Sequence, residues 1–284
     1  MIITKRKFGV EIETIGLTNS KAKKIFSKIE IPFLSGEYDD CPRCGSYVYD
    51  EDGMFYCADC SWLKKYEPNT KWSWHEDSSI DDRRGNGLEV VSPILSGSKG
   101  LYAVKKVAKA LEDAGISANN TCGLHVHVDA RDLTLYDLVN TLRRYDEYEN
   151  KIDALMPNIR VGNCFCLSTK LDVKNILSHL PKENTKNKDT IRRFLERNFN
   201  DRYRKLNLSA YLVHGTIEFR QHEGTVDSTT IVNWIRFCVN FVEQSKIRPR
   251  NINEIVPLPE DSLFRKLPKS VTKFYQQRRE EMIK

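Results

Sequence analysis

Three short segments place acidic, imidazole or guanidinium groups at every second position: FGVEIE at 8–13, GLHVHV at 123–128 and TIEFRQH at 216–222. In an extended strand, residues i and i+2 point to the same side. Glu11 and Glu13 therefore share one face, with Val10 and Ile12 on the other. His125 and His127 share a face opposite Leu124, Val126 and Val128, and Glu218, Arg220 and His222 share one opposite Ile217 and Phe219. A fourth segment, LEVVSP at 88–93, adds Glu89. If these strands join one sheet, their polar groups converge. Carboxylates and imidazoles suit a divalent cation such as Mg²⁺ or Mn²⁺. A neighbouring Arg suits a phosphate or a carboxylate.

Each motif alone has an ordinary reading. Glu-x-Glu is common on solvated sheet faces, His-x-His can be two exposed rings, and Glu218–Arg220 can be a simple ion pair. The combination favours a site, because two of the six histidines fall in one three-residue window and titratable groups recur on one side of every strand.

A second constellation is separate. Cys41-Pro-Arg-Cys44 and Cys57-Ala-Asp-Cys60 stand twelve residues apart. Two such turns present four thiolates to one ion, and a closed four-ligand site reads as structural zinc. The segment between them alternates and carries Asp52-Gly53, a hairpin-turn dipeptide. The pattern resembles a zinc ribbon, an insert too small to hold a core without its metal. Ribbons also bind proteins or nucleic acids, and nothing in these side chains selects a role. The other four cysteines are dispersed, which points to a reducing compartment and not to a disulfide framework.

Helix periodicity is expected at 19–29, 99–114, 134–155, 189–199 and 228–246, with a last short helix after a proline-containing tail. Ser98 is expected to cap the second of these and Gly115 to end it. Strands are expected at 8–13, 88–95, 123–129, 206–212 and 215–221, with a loop at 81–87. Helices and strands intermix, but strands also follow one another. The expected class is α+β, with helices on one face of a largely antiparallel sheet.

Bulk properties bound the rest. The 284 residues suffice for one large domain or two small ones, with 40% hydrophobic and 30% charged residues. No stretch approaches the roughly 20 apolar residues of a membrane helix. The first residues lack a secretory-signal pattern, so a cytoplasmic location is expected. The formal net charge is +6. The basic residues Arg265, Lys266, Lys269, Lys273, Arg278 and Arg279 read as a solvated helix face beside Glu280 and Glu281, in preference to a nucleic-acid contact.

Taken in order, FGVEIE, WSWHEDSS at 72–79, GLEVVSP at 87–93, CGLHVHVD at 122–129, RYRKLNL at 202–208 and TIEFRQHEGTVD at 216–227, followed by Trp234, resemble the amidoligase family. That family has the catalytic fold of glutamine synthetase and glutamate–cysteine ligase. The resemblance implies an ATP-dependent carboxylate–amine ligase that forms an amide through an acyl phosphate. It implies Glu11, Glu13, Glu89, His125 and Glu218 as Mg²⁺ or Mn²⁺ ligands. His127 would be a further ligand or a substrate contact, and Arg220 would bind phosphate. Arg202 or Arg204 would touch ATP or a substrate carboxylate, and Asp77 and Ser78 would lie near substrate. Glu218, Arg220 and His127 would form the catalytic centre.

The implied substrates are peptides, amino acids or cell-wall fragments, and the family is often linked with phage genomes. Residues 1–36 and 67–284 would form the catalytic domain and 37–66 the ribbon insertion. The runner-up is a metal-dependent amide or ester hydrolase on the same His/Glu surface, although the chain lacks an HExxH helix motif. A zinc-ribbon module binding nucleic acid or protein stands third.

Overall fold

The strand alternation is realised as one open sheet with an apolar and a polar face. The computed structural model describes residues 5–29, 31, 43–44, 48–51, 54–57, 60, 63–65, 71–82, 85–170, 173–199, 201–246 and 263–283. Strand β1 (Lys7–Thr14) is central. It pairs on one side with β6 (Gly85–Val91) and β7 (Leu95–Ser96), and on the other with β8 (Gly123–Asp129). Beyond β6 lies β5 (Ser73–Asp82); beyond β8 lie β10 (Thr216–Glu223) and β9 (Leu206–Asn207). The order is β5-β6-β1-β8-β10-β9, with β7 beside β1, and every pairing of these strands is antiparallel. A separate three-stranded antiparallel sheet joins β2 (Val48–Glu51), β3 (Met54–Cys57) and β4 (Leu63–Lys65). The hairpin turn expected at Asp52-Gly53 lies outside the described residues. Cys41 and the Cys57 side chain also lie outside, so the four-cysteine zinc set does too.

The apolar face is filled by Phe8, Val10, Ile12, Leu88, Val90, Leu124, Val126, Val128, Ile217 and Phe219, all at most 4% exposed. It is closed by α8 (Ser228–Ser245), flanked by α2 (Gly97–Asp113) and α3 (Leu135–Asp153). Trp234 of α8 packs edge-on to Phe219 and stacks on Phe237, and Tyr145 of α3 meets Phe219 at 5.9 Å. Local signals set the helix bounds. Thr134 and Asp137 form a reciprocal capping box at the start of α3, and the Asp227 side chain caps α8 by accepting from Thr230 N. Helix α2 ends at Gly115 as expected, in the left-handed conformation that glycine adopts readily. Its N-cap is Ser96 and not Ser98, one turn-start earlier than the apolar stripe suggests.

Other departures have physical causes. The segment expected as a strand at 206–212 is strand only at β9. It then turns into α7 (Ala210–His214), which ends at Gly215 with φ +68°. The loop expected at 81–87 is mostly strand, since β5 and β6 form a hairpin through Asp82↔Gly85. The unexpected strand β5 buries Trp74 and Ile80, but the five residues between them are polar and hide the strand pattern. Short helices α4 (Asn158–Val161) and α5 (Val173–Ser178) were too brief for periodicity to reveal, whereas α1 (Asn19–Phe26) and α6 (Lys188–Asn198) lie where expected. Helix α9 (Lys269–Ile283) is not simply solvated. Arg278 is 8% exposed, donates to the Leu155 carbonyl at 2.7 Å and pairs with Glu223.

The register of β10 against β8 shifts between Phe219 and His222, which inserts one residue. Strict alternation expects His222 on the polar face with Glu218 and Arg220; the bulge turns it into the core instead. There its ring is 5.0 Å from Trp234, and Nδ1 donates to the Glu223 carbonyl at 2.8 Å. Its Nε2 is buried without a hydrogen-bond partner among the described residues. Burial holds this imidazole down to about 4, against an ordinary 6.5. The folded state therefore resists a proton that the unfolded state accepts, and stability falls as pH drops from 6.5 towards 4. His222→Gln, which keeps a donor for the carbonyl and cannot titrate, should flatten that limb by about 3 kcal/mol in urea unfolding. An identical acid limb in both proteins would refute the assignment.

Candidate active site

Register places the polar groups. On one side of β1, Glu13 is opposite Glu89 of β6, and Glu89 is opposite His75 of β5. On the other side Glu11 is opposite His125 of β8. One step along, His127 is opposite Glu218 of β10, and Glu218 is opposite Asn207 of β9. Directly opposed residues of antiparallel strands share a face. Four strands, β1, β6, β8 and β10, thus bring Glu11, Glu13, Glu89, His125, His127, Glu218 and Arg220 to one surface.

His125 is the hub. Its Nδ1 is 3.3 Å from a Glu11 oxygen and 3.8 Å from Glu218 Oε1, and its Nε2 is 3.4 Å from Glu13 Oε1. Two overlapping triads result, Glu11–His125–Glu218 and Glu13–Glu89–His125, each with ligand atoms within 4.8 Å of one another. Octahedral Mg²⁺ binds oxygen at about 2.1 Å, so adjacent ligand atoms stand about 3 Å apart and opposite ones about 4.2 Å apart. The oxygen-rich donor sets fit such an ion after small side-chain rotations. One ring cannot give both nitrogens as neutral ligands, so His125 can ligate in one triad while its other N–H orients a carboxylate of the second.

The electrostatics fit the same conclusion. Glu13 and Glu218 are each only 4% exposed. Burial, together with the charges of Glu11, Glu13 and Asp77, pushes Glu89 well above the usual carboxylate range. Glu13 is also raised, chiefly by burial. Burial works to raise Glu11 as well, but His127 and His125 outweigh it and hold this carboxyl well below its ordinary value. Burial disfavours the charged His127 ring, yet Glu11 and Glu218 lift it to about 9. Carboxylates crowded in a buried place are a deficit of positive charge, which a cation relieves.

The supports of these groups are specific. Gly123 N donates to Glu13 Oε2 at 2.6 Å, and a Cβ at Gly123 would lie 2.7 Å from His125 Nε2. His127 Nδ1 lies 2.9 Å from Thr216 Oγ1, and Asn207 Nδ2 donates to Glu218 Oε2 at 2.7 Å. Arg220 donates to Glu218 Oε1 and, at 3.4 Å, to the Phe165 carbonyl. The bulge that aims it is held by buried Arg160, which donates to the carbonyls of Arg220 at 2.7 Å and Gln221 at 3.2 Å. Beneath it Tyr145 donates to Gln221, which donates to Asp153. Lys205 bridges Asp153 at 2.7 Å and Glu149 at 3.0 Å. That lysine is 1% exposed, and two carboxylates compensate its burial.

Other expected residues sit around the rim. Asp77 is on β5, near enough to raise Glu13 and Glu89, and its Oδ1 accepts from Ser79 N at 2.7 Å; Ser78 is exposed. Arg202 lies over the Tyr203 ring at 5.0 Å, and Arg204 donates to the Ser168 carbonyl at 2.9 Å, so both stand outside the triads. Residues not anticipated are Thr216, Asn207, Arg160, Lys205 and His214. The His214 ring meets His127 edge-on at 5.5 Å. Thr216, Lys205 and Asn207 lie inside TIEFRQH and RYRKLNL but alternation gives them no role, and Arg160 and His214 lie outside every motif; each is recruited by tertiary contact.

An antiparallel sheet here gathers buried carboxylates and imidazoles on one face, a set of side chains that could hold a divalent cation. The family model described as "Putative amidoligase enzyme" matches residues 4–242, most of the chain. The chain belongs to this amidoligase family, and membership points to an amide-bond-forming ligase. No curated protein matches it. Among the described residues no helix is long and apolar enough to cross a membrane.

The crowding of carboxylates has a measurable cost. In chelator-treated protein at neutral pH, Glu89→Gln removes a carboxyl that its neighbours repel. It should raise Tm by about 2 °C. A fall of that size would show that Glu89 is not under repulsion.

Proposed function

We propose that the protein is an ATP-dependent carboxylate–amine ligase. The observation that carries this reading is the pair of triads sharing His125, with Arg220 beside Glu218 at one end. Family membership supports the reaction class. Divalent ions held by Glu11, Glu13, Glu89, His125 and Glu218 would neutralise triphosphate oxygens and polarise the transferring phosphoryl group. A substrate carboxylate oxygen attacks the γ-phosphorus and ADP leaves. The amine then attacks the acyl carbon of the acyl phosphate, inorganic phosphate leaves, and the amine's proton is released.

Arg220 serves as a fixed hydrogen-bond donor to phosphate. Glu218 and the Arg160-held bulge set its direction, and its planar fork matches phosphate oxygens. His127, tied to Thr216 and Glu11, stands next to Glu218 where a substrate oxygen would arrive. Arg202 and Arg204 flank the Arg220 end, where a nucleotide or a carboxylate substrate would approach. Residues 37–66 are the inserted unit, carrying one structural zinc on Cys41, Cys44, Cys57 and Cys60, and the compartment is the cytoplasm. Peptide, amino-acid and cell-wall carboxylates all remain within the substrate class.

The test is formation of ADP and phosphate that depends on Mg²⁺, a carboxylate and an amine. Glu11→Ala or Glu218→Ala should lower turnover by at least about a hundredfold while circular dichroism stays that of the parent. Normal turnover in either variant would overturn the site. Amide cleavage without nucleotide would assign the hydrolase reading instead. Purified protein should also carry one zinc per chain by elemental analysis, lost on Cys44→Ser with Cys60→Ser. A zinc content unchanged by that pair would refute the ribbon.

A further inference from the structure

Beside Arg220 the surface changes from acidic to apolar. Four of the seven large hydrophobic side chains exposed among the described residues, Ile159, Val161, Phe165 and Leu167, fall between 159 and 167. Phe165 is 36% exposed, and its one ring partner among the described residues is Tyr203, edge-on at 5.7 Å and 71°. Arg202 lies over Tyr203 and donates to its hydroxyl at 3.0 Å, and Arg220 reaches within 5.9 Å of the same ring.

This shelf is fastened to the active face through the backbone. Leu167 N donates to the Tyr203 carbonyl at 2.6 Å, Lys205 N to the Leu167 carbonyl at 2.9 Å and Arg220 N to the Lys205 carbonyl at 2.9 Å. Arg220 Nε closes the link by donating to the Phe165 carbonyl. An exposed aromatic ring whose own carbonyl holds a phosphate-type arginine, itself next to a set of buried carboxylates, is complementary to one kind of molecule. That molecule has a flat π-face at one end and a row of anionic oxygens at the other.

We propose that Phe165, braced by Tyr203 and flanked by Arg202, is the stacking shelf for the base of a nucleoside triphosphate. The triphosphate passes Arg220 to reach the triads centred on His125. This rests on the ligase reading above and adds where the nucleoside is recognised. Aromatic stacking is tolerant of base identity, so the shelf supplies affinity more than base selection. Arg202, exposed beside Tyr203, serves the ribose or the first phosphate.

The test compares two ligands on the full chain in Mg²⁺ by calorimetry: ATP, and inorganic triphosphate, which has no base. Phe165→Ala keeps the carbonyl that Arg220 uses and removes only the ring. It should weaken ATP about tenfold or more while leaving triphosphate unchanged, and Phe165→Trp should restore ATP binding. Circular dichroism confirms that both variants fold. ATP affinity unchanged in Phe165→Ala, or ATP and triphosphate weakened equally, overturns the shelf while the phosphate site stands. Failure of the parent protein to bind either ligand overturns the ligase reading and the shelf with it.

Discussion

The structure depends on keeping like charges together in a place with little water. Glu11, Glu13, Glu89 and Glu218 are set by strand register on one side of a sheet whose other side is the hydrophobic core. The core determines the positions of the carboxylates because slipping any strand by one residue would send its charges inward and its valines outward. The same burial that stabilises the fold therefore enforces an arrangement that is electrostatically unfavourable for the carboxylates by themselves. Local stability is exchanged for a preorganised binding surface, a common compromise at active sites.

Protein groups offset part of that repulsion. His125 stands between three carboxylates, His127 between two, and Arg220 caps Glu218. A buried layer behind the sheet keeps them in place. Arg160 holds the β10 bulge by its carbonyls, and Lys205 with Glu149 and Asp153 fills the space between that strand and α3. The bulge has two consequences from one inserted residue. It leaves Arg220 on the polar face and turns His222 into the core beside Trp234.

Much of this was legible in the sequence because strands have an exact period of two. The faces of FGVEIE and GLHVHV follow from alternation alone, and the antiparallel α+β class from the order of elements. The bulge was not legible, since an inserted residue leaves no mark in composition, and so His222 was expected on the wrong face. Strand β5 was missed because the five residues between its buried Trp74 and Ile80 are all polar. Asn207 and Thr216 lie in legible segments, but their partners Glu218 and His127 follow only from the pairing of β9 and β8 with β10, and Arg160, on α4, is far from the triads in sequence. Arg278, expected among solvated basic residues, is buried because a carbonyl and Glu223 await it where α9 docks.

The most direct measurement is a crystal soaked with Mn²⁺ and a non-hydrolysable ATP analogue, read by anomalous scattering. The expected result is manganese peaks bounded by Glu11, Glu13, Glu89, His125 and Glu218, with phosphate density at Arg220. Peaks elsewhere, or full occupancy of the analogue with no metal at these side chains, would contradict a metal-supported ligase on this face.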